Sequence, residues 1–175
     1  MEVTLHRAEN DDDLQIVHNM FTAYFYDLSQ FDDNLVINTY GLPTWAPSGL
    51  PGPRDHDECW RMNWWIRDRC EAYVIHAEEA PAGFLHILRD KRHLVEGVDQ
   101  ELMDFYTAPK FRRQGIGRLA ARLAFDMHPG TWQVCELERN IPAKQFWHAV
   151  IEEYTAGRFD DMENGTQQKF SIPTS

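Results

Sequence analysis

Cysteine is scarce in this chain of 175 residues, and Cys59, Cys70 and Cys135 are an odd number with no paired spacing. That argues against a disulfide framework. Long apolar runs are missing as well, so no segment reaches the length of a membrane span. The first residues, Met1-Glu2-Val3-Thr4-Leu5, lack a basic stretch followed by an apolar one. A soluble, cytoplasmic protein with no membrane partner is the expectation. Positive charge is in short supply, with 17 Lys and Arg against 28 Asp and Glu and a net charge of −11. Nucleic-acid binding needs a basic footprint and is not expected, whereas a cationic small molecule is compatible with the acidic balance. His56-x-x-Cys59, flanked by Asp55, Asp57 and Glu58, is at most half a metal site. No second ligand pair stands at a suitable spacing, and no metal is expected. Repeats, low-complexity tracts and linkers are absent too, so residues 1–175 read as one domain long enough to bury a full core.

The residues that are present alternate between strand and helix signatures. Met1–Ala8 reads as a short strand, and Asn10 caps a helix whose first turn is Asp11-Asp12-Asp13, where acids suit the dipole. Ser29–Asp57 has no clear period and reads as a long loop; Glu58–Asp68 reads as a second helix presenting Trp60, Trp64 and Trp65. Ala72–Ala77 and Gly83–Leu88 form a hairpin around Glu78–Ala82, and Leu102–Thr107 is a further strand stopped by Pro109. Ile116, Leu119, Ala120, Leu123, Ala124 and Met127 mark one buried face of a helix. Trp132–Leu137 is a strand, and Asn140 caps a last helix with the stripe Ala143, Phe146, Trp147, Val150 and Ile151. Two strands, Arg158–Met162 and Gln167–Ile172, flank a turn at Asn164-Gly165. The order β-α-α-β-β-β-α-β-α-β-β makes the fold class α/β in the broad sense, a mixed or α+β layer architecture.

One segment runs against the acidity of the rest. Lys110 to Arg122 carries five positive charges and no acid, which leaves the remainder of the chain at −16. Gly115 and Gly117 sit at its centre, directly before the amphipathic helix. Backbone N–H groups freed by glycine, a helix N-terminus and flanking arginines describe a cradle for a phosphate or pyrophosphate. Gly115-x-Gly117-x-x-Ala120, with Glu136 about twenty residues on, also matches the dinucleotide-binding fingerprint. In that fold the first glycine follows its strand almost at once, but here Ala108–Gln114 intervenes and the repeated βαβ units are missing. A P-loop is excluded because no Gly-Lys-Ser/Thr follows the glycines.

Arg112-x-x-Gly115-x-Gly117, after a strand ending at Pro109 and before a helix, resembles the GNAT superfamily of N-acetyltransferases. Asn140-x-x-Ala143-x-x-Phe146 is similar to that family's second cofactor-side motif, and the motifs span about residues 100 to 150. The resemblance implies a mixed, twisted, mostly antiparallel sheet flanked by helices. It also implies acetyl-CoA as acyl donor, with its pyrophosphate on Arg112, Arg113, Gln114, Gly115, Ile116, Gly117 and Arg118. Phe105, Tyr106 and Thr107 would pair with the pantetheine arm, and Asn140 and Phe146 would complete the cofactor side. The implied reaction moves an acetyl group to a primary amine of a small molecule. A peptide or protein N-terminus is the rival acceptor, and a non-catalytic acyl-CoA-binding or sensing module is the rival function.

Acetyl transfer to an amine needs a base for the amine's proton. Asp104 is the first candidate, expected to share a strand face with Leu102 and Tyr106, and Glu101 is the second, since the resemblance implies a bulge in this strand that could exchange their facing. The family's usual general acid is a tyrosine directly after the phenylalanine of the second motif; this chain has Trp147 there, so no acid is assigned. Cys135 reads as an inert thiol in a buried strand. Tyr40, Trp45, Trp60, Trp64 and Trp65 are candidates to line an acceptor pocket together with Asp32 and Asp33. The aromatic content is compatible with a homodimer, although no residue pattern demonstrates one.

Overall fold

A computed structural model describes residues 1–45 and 52–173 of the chain, and within them the side chains of all but Trp64, Trp65 and Arg67. In chain order the elements are β1 (Val3–Arg7), α1 (Asp11–Leu28), β2 (Leu35–Ile37), β3 (Pro43–Trp45), α2 (His56–Met62), α3 (Trp64–Arg69), β4 (Cys70–Ala77) and β5 (Ala80–Leu88). There follow β6 (Gln100–Thr107), α4 (Ile116–Met127), β7 (Gly130–Cys135), α5 (Ile141–Thr155), β8 (Asp160–Met162) and β9 (Gln167–Ile172). Seven strands form one sheet in the order β1-β4-β5-β6-β7-β9-β8, while β2 and β3 make a separate hairpin. Every neighbouring pair in the large sheet is antiparallel except β6–β7.

Helices cover the sheet on two sides. On one face α4 and α5 contribute Ile116, Ala120, Ala124, Phe125, Trp147 and Ile151 to a core with Ile75, Leu85, Ile87, Leu102, Trp132 and Phe170. On the other, Val17, Phe21 and Phe25 of α1 and Ile66 of α3 pack against Val74, Phe84 and Tyr106. The termini follow ordinary capping chemistry. Asn10 accepts from the Asp13 N–H at 2.9 Å, and Asn140 accepts from the Ala143 N–H at 3.2 Å, each satisfying a donor that the helix itself leaves free.

Several sequence expectations change at their boundaries. The long loop contains the β2–β3 hairpin, whose strands of three residues are too short for periodicity to reveal. The second helix is two helices, broken at Asn63, whose amide donates to the Cys59 carbonyl at 2.8 Å. On α4 the buried face is Ile116, Ala120, Ala121, Ala124 and Phe125, and Leu119 and Met127 are exposed. The helix is rotated so that Phe125 meets Trp132 at 5.2 Å and Phe170 at 4.9 Å, a larger apolar surface than Leu119 offers. Because Phe125 is fully buried there, Phe125→Ala should cost about 3–5 kcal/mol in chemical denaturation. A loss below about 1 kcal/mol would contradict this packing.

Candidate active site

The one parallel pairing in the sheet ends early. β6 meets β7 only at Gln100↔Trp132, Glu101↔Gln133 and Leu102↔Val134. On its other side β6 stays paired with β5 as far as Thr107↔Gly83. Met103–Thr107 therefore presents an edge without a strand partner on the β7 side, and the two strands diverge into a cleft. Unpaired ladder groups at such an edge are available to a ligand.

A bulge lies at the mouth of this cleft. His86 pairs with Asp104 and Ile87 with Leu102, so Met103 is the extra residue. One inserted residue reverses the facing of everything beyond it. Leu102 and Phe105 thus pack on the α4–α5 side, and Tyr106 on the α1 side. Asp104 shares a face with Tyr106 as expected from the sequence but not with Leu102, because the bulge intervenes. Its carboxylate lies against His86, with Nδ1 2.9 Å from Oδ2, and both residues are buried. Tyr24 of α1 covers the same carboxylate, and its hydroxyl is held well above the usual range by burial and by Asp104. Glu101 is half-buried, and burial pushes its carboxyl upward against the hydrogen bonds of Gln133 and Cys135.

At the other end of β6 the chain turns into the basic segment. Pro109–Phe111 makes one 3-10 turn, Arg113 has φ +61° and Gly115 φ +82°, and α4 then begins. Gly115 is required there, since a side chain is strained at that φ, and space is open around it. At Gly117 a Cβ would make ordinary contact, 3.4 Å from Phe146 Cζ and 3.5 Å from Phe105 Cε1, so only a larger side chain would crowd the two rings. From Arg113 to Arg118, no backbone N–H has an acceptor among the described residues. Six successive donors at a helix N-terminus, where the dipole is positive, form an anion site.

The side chains of the segment do less of this work than its sequence implies. Arg112 donates to the Thr107 carbonyl at 2.6 Å, pairs with Asp27 of α1 and lies over the Tyr106 ring. Arg118 and Arg122 both reach Glu153 of α5, at 2.8 and 3.2 Å. Gln114 turns back to the Lys110 carbonyl at 2.7 Å, and Lys110 sits over Phe111. Only Lys110 and Arg113 of the five cations have no ion pair among the described residues. The cradle is chiefly backbone. On its far side Phe146 lies beside Phe105, with ring centroids 5.9 Å apart, and Asn140 fixes the start of α5.

Trp147 is core, 6% exposed and edge-on to Phe105 at 5.0 Å. Tyr154 donates to Asp126 at 2.6 Å, and burial and that carboxylate raise its hydroxyl. On the α1 side of the sheet a cleft of about 190 Å³ is lined by Phe25, Pro43, Trp45, Pro53, Cys59 and Met62. Trp60 instead packs on Phe21 and stacks over His86, Tyr40 is exposed, and Asp33 pairs with Arg139 at 2.6 Å. Asp32 accepts from Asn34, so neither aspartate belongs to this cleft. The expectation for Trp64 and Trp65 lies outside the described side chains. Among the described residues no cluster of three or more His, Cys, Asp or Glu could hold a metal, and no helix is long and apolar enough to cross a membrane. Sequence reasoning passed over His86, Tyr24 and Asp27. A lone histidine inside the apolar run Gly83-Phe84-Leu85-His86-Ile87-Leu88 was the available signal for the first.

A cleft between diverging parallel strands, with an N–H row before α4 and carboxylates on the opposite face, defines an acyltransferase-type site. The sequence pattern described as the Acetyltransferase (GNAT) family matches residues 39–150. The chain belongs to the GNAT acetyltransferase family. Solved structures agree at the level of the fold. A protein of Pyrococcus horikoshii is similar with a TM-score of 0.64 at 14% identity, over 99% of this chain and 100% of that one. An acetyltransferase from Thermus thermophilus gives 0.59 at 18%, over 98% and 97%. Spermidine N-acetyltransferase from Vibrio cholerae, solved with CoA and spermine, gives 0.57 at 17%, over 97% and 95%. No curated protein matches the sequence.

Cys135 corrects one expectation, since it is exposed at the end of β7 rather than buried. Its thiol is nevertheless pushed up to about 12 by desolvation and by the Glu101 and Glu136 carboxylates. At pH 8 iodoacetamide should therefore alkylate Cys135 at least about tenfold more slowly than free cysteine, and Glu101→Gln should speed it. Peptide mass spectrometry reads the rate; alkylation as fast as free cysteine contradicts this electrostatic picture.

Proposed function

We propose that the protein is an acetyl-CoA-dependent N-acetyltransferase whose acceptor is a primary amine of a small molecule. The observation that carries this reading is the row of free N–H groups from Arg113 to Arg118 at the end of a strand that has parted from its neighbour. The residues fit a pyrophosphate: six successive donors without an acceptor among the described residues, open space at Gly115, and the cations Lys110 and Arg113 without an ion pair there. The open edge of Met103–Thr107 suits the amide groups of a pantetheine arm, which would add to it like a partial strand. The V. cholerae neighbour solved with CoA and spermine supports the same assignment by fold.

Bound acetyl-CoA would supply the thioester whose acyl carbon is attacked. This chain's own residues orient it and remove a proton. An ammonium must first lose a proton, and we assign its removal to Asp104, with Glu101 as the second candidate. An N–H of the open β6 edge can polarise the acyl oxygen. The C–N bond then forms as the C–S bond breaks, and the departing thiolate takes its proton from solvent. Trp147 is buried and Tyr154 is tied to Asp126, so neither is assigned as acid. Two carboxylates favour a cationic amine over a neutral acceptor, and the acetyl-transfer panel below separates a small-molecule amine from a peptide N-terminus.

Trp147 in the core favours one second reading, a non-catalytic acyl-CoA-binding module. Calorimetric titration with acetyl-CoA should show binding under both, and replacing Gly115 and Gly117 together by valine should weaken it by at least about tenfold. Amine-dependent thiol release, screened with spermidine, neamine and glucosamine, occurs only with an enzyme. If acetyl-CoA does not bind, both readings fail.

For the base, Asp104→Asn should lower turnover by about a hundredfold or more with acetyl-CoA affinity unchanged. A larger loss in Glu101→Gln than in Asp104→Asn would move the role to Glu101.

A further inference from the structure

His86 is a costly polar residue to bury in the sheet. It has no exposure, and Phe21, Phe84 and the stacked Trp60 surround it. A buried histidine in a core ordinarily has both ring nitrogens partnered. Here Nε2 is buried without a hydrogen-bond partner among the described residues. Leaving such an atom unpaired costs about 1–3 kcal/mol, which an apolar side chain of similar volume would avoid. The single polar contact that His86 makes is Nδ1 to Asp104 Oδ2 at 2.9 Å.

We infer that His86 is a positioning residue for the reaction: its Nδ1–H holds the Asp104 carboxylate in the rotamer that presents its other oxygen to the acceptor amine. This rests on the acetyltransferase reading above. His86 lies opposite Asp104 across the β5–β6 pair, and the bulge at Met103 puts both on the acceptor face rather than under α4 and α5. Without the bulge, Asp104 would lie in the apolar core with Leu102. The titratable groups facing Asp104 are Tyr24 from α1, His86 from β5, Cys70 at the start of β4 and Glu101 on its own strand. The His86 ring is fixed by Phe21, Phe84 and Trp60, so it supplies direction as well as a donor, and Tyr24 closes the carboxylate from the α1 side. The amine's proton lands on the Asp104 carboxylate, and the Nδ1–H bond persists through the step.

The test compares wild type, His86→Leu and His86→Asn, whose Nδ2 occupies the place of Nδ1. With the amine of the spermidine, neamine and glucosamine panel that turns over fastest, His86→Leu should lower turnover by about tenfold or more while acetyl-CoA KM stays unchanged. The acidic limb of its rate–pH profile should move to higher pH, because the carboxylate has lost a donor that favours its charged form. His86→Asn should recover most of both. Melting temperatures and circular dichroism identify any variant that is merely unfolded. Wild-type turnover and an unmoved acidic limb in His86→Leu would overturn the inference, as would a folded His86→Asn no better than His86→Leu.

Nitrogen-15 histidine spectra give a readout independent of activity. They should show His86 as the Nδ1–H tautomer at pH 7, with that preference lost in Asp104→Leu; an Nε2–H tautomer in wild type overturns the inference. A protein that binds acetyl-CoA yet acetylates no amine of the panel defeats the catalytic reading instead, and the spectra still decide the pairing.

Discussion

The structure depends on a pairing that stops. After Leu102↔Val134 the only parallel neighbours in the sheet separate, while β6 continues to pair with β5. A β-sheet normally satisfies its ladder groups on both sides, so a strand with one open edge inside the fold is held there by its surroundings. The helices provide that support. α4 follows β6 and α5 follows β7, and their cores, joined through Phe125, Trp147 and Ile151, keep the two strand ends apart without closing the gap. The cleft is thus the consequence of two βα units packed on one face of the sheet.

The second constraint is electrostatic, and it concerns structure more than ligand. Arg112 clasps Asp27 and the Thr107 carbonyl, which ties the loop before α4 to the helix that covers the acceptor face. Arg118 and Arg122 share Glu153 and tie α4 to α5. Exposed pairs of this kind each contribute about 0–1 kcal/mol, so their value lies in fixing directions. With these cations engaged, anion affinity falls to the backbone donors of Arg113–Arg118, which need no reorganisation when a ligand arrives. The same economy operates on the acceptor face, where Asp104 is held between His86 of the sheet and Tyr24 of α1.

Much of this was legible in the sequence because it is local. The periodicity of α4, the caps Asn10 and Asn140, the hairpin of β4 and β5 and the Gly115-x-Gly117 turn all follow from a few neighbouring residues. The rest depends on contacts between distant positions. The facing of Asp104 turns on a one-residue bulge set by how β5 registers against β6, and no periodicity announces it. The partners of the arginines, Asp27 and Glu153, lie 85 and 35 residues from Arg112 and Arg118. Phe125 displaced Leu119 from the core because Trp132 and Phe170 come from other strands. The family's motifs lie on β6, the turn before α4 and α5, whereas the α1 face of the sheet also takes in the short hairpin, where the sequence has no period to read.

The claim on which the account stands is that the backbone of Arg113–Arg118 receives the pyrophosphate of CoA. Amide hydrogen exchange measured with and without saturating CoA tests it directly, because six N–H groups without an acceptor among the described residues would gain one. Peptides spanning residues 113–118 should slow strongly on CoA addition, with weaker slowing across Met103–Thr107. Unchanged exchange at 113–118, with protection appearing elsewhere in the chain, would contradict the account.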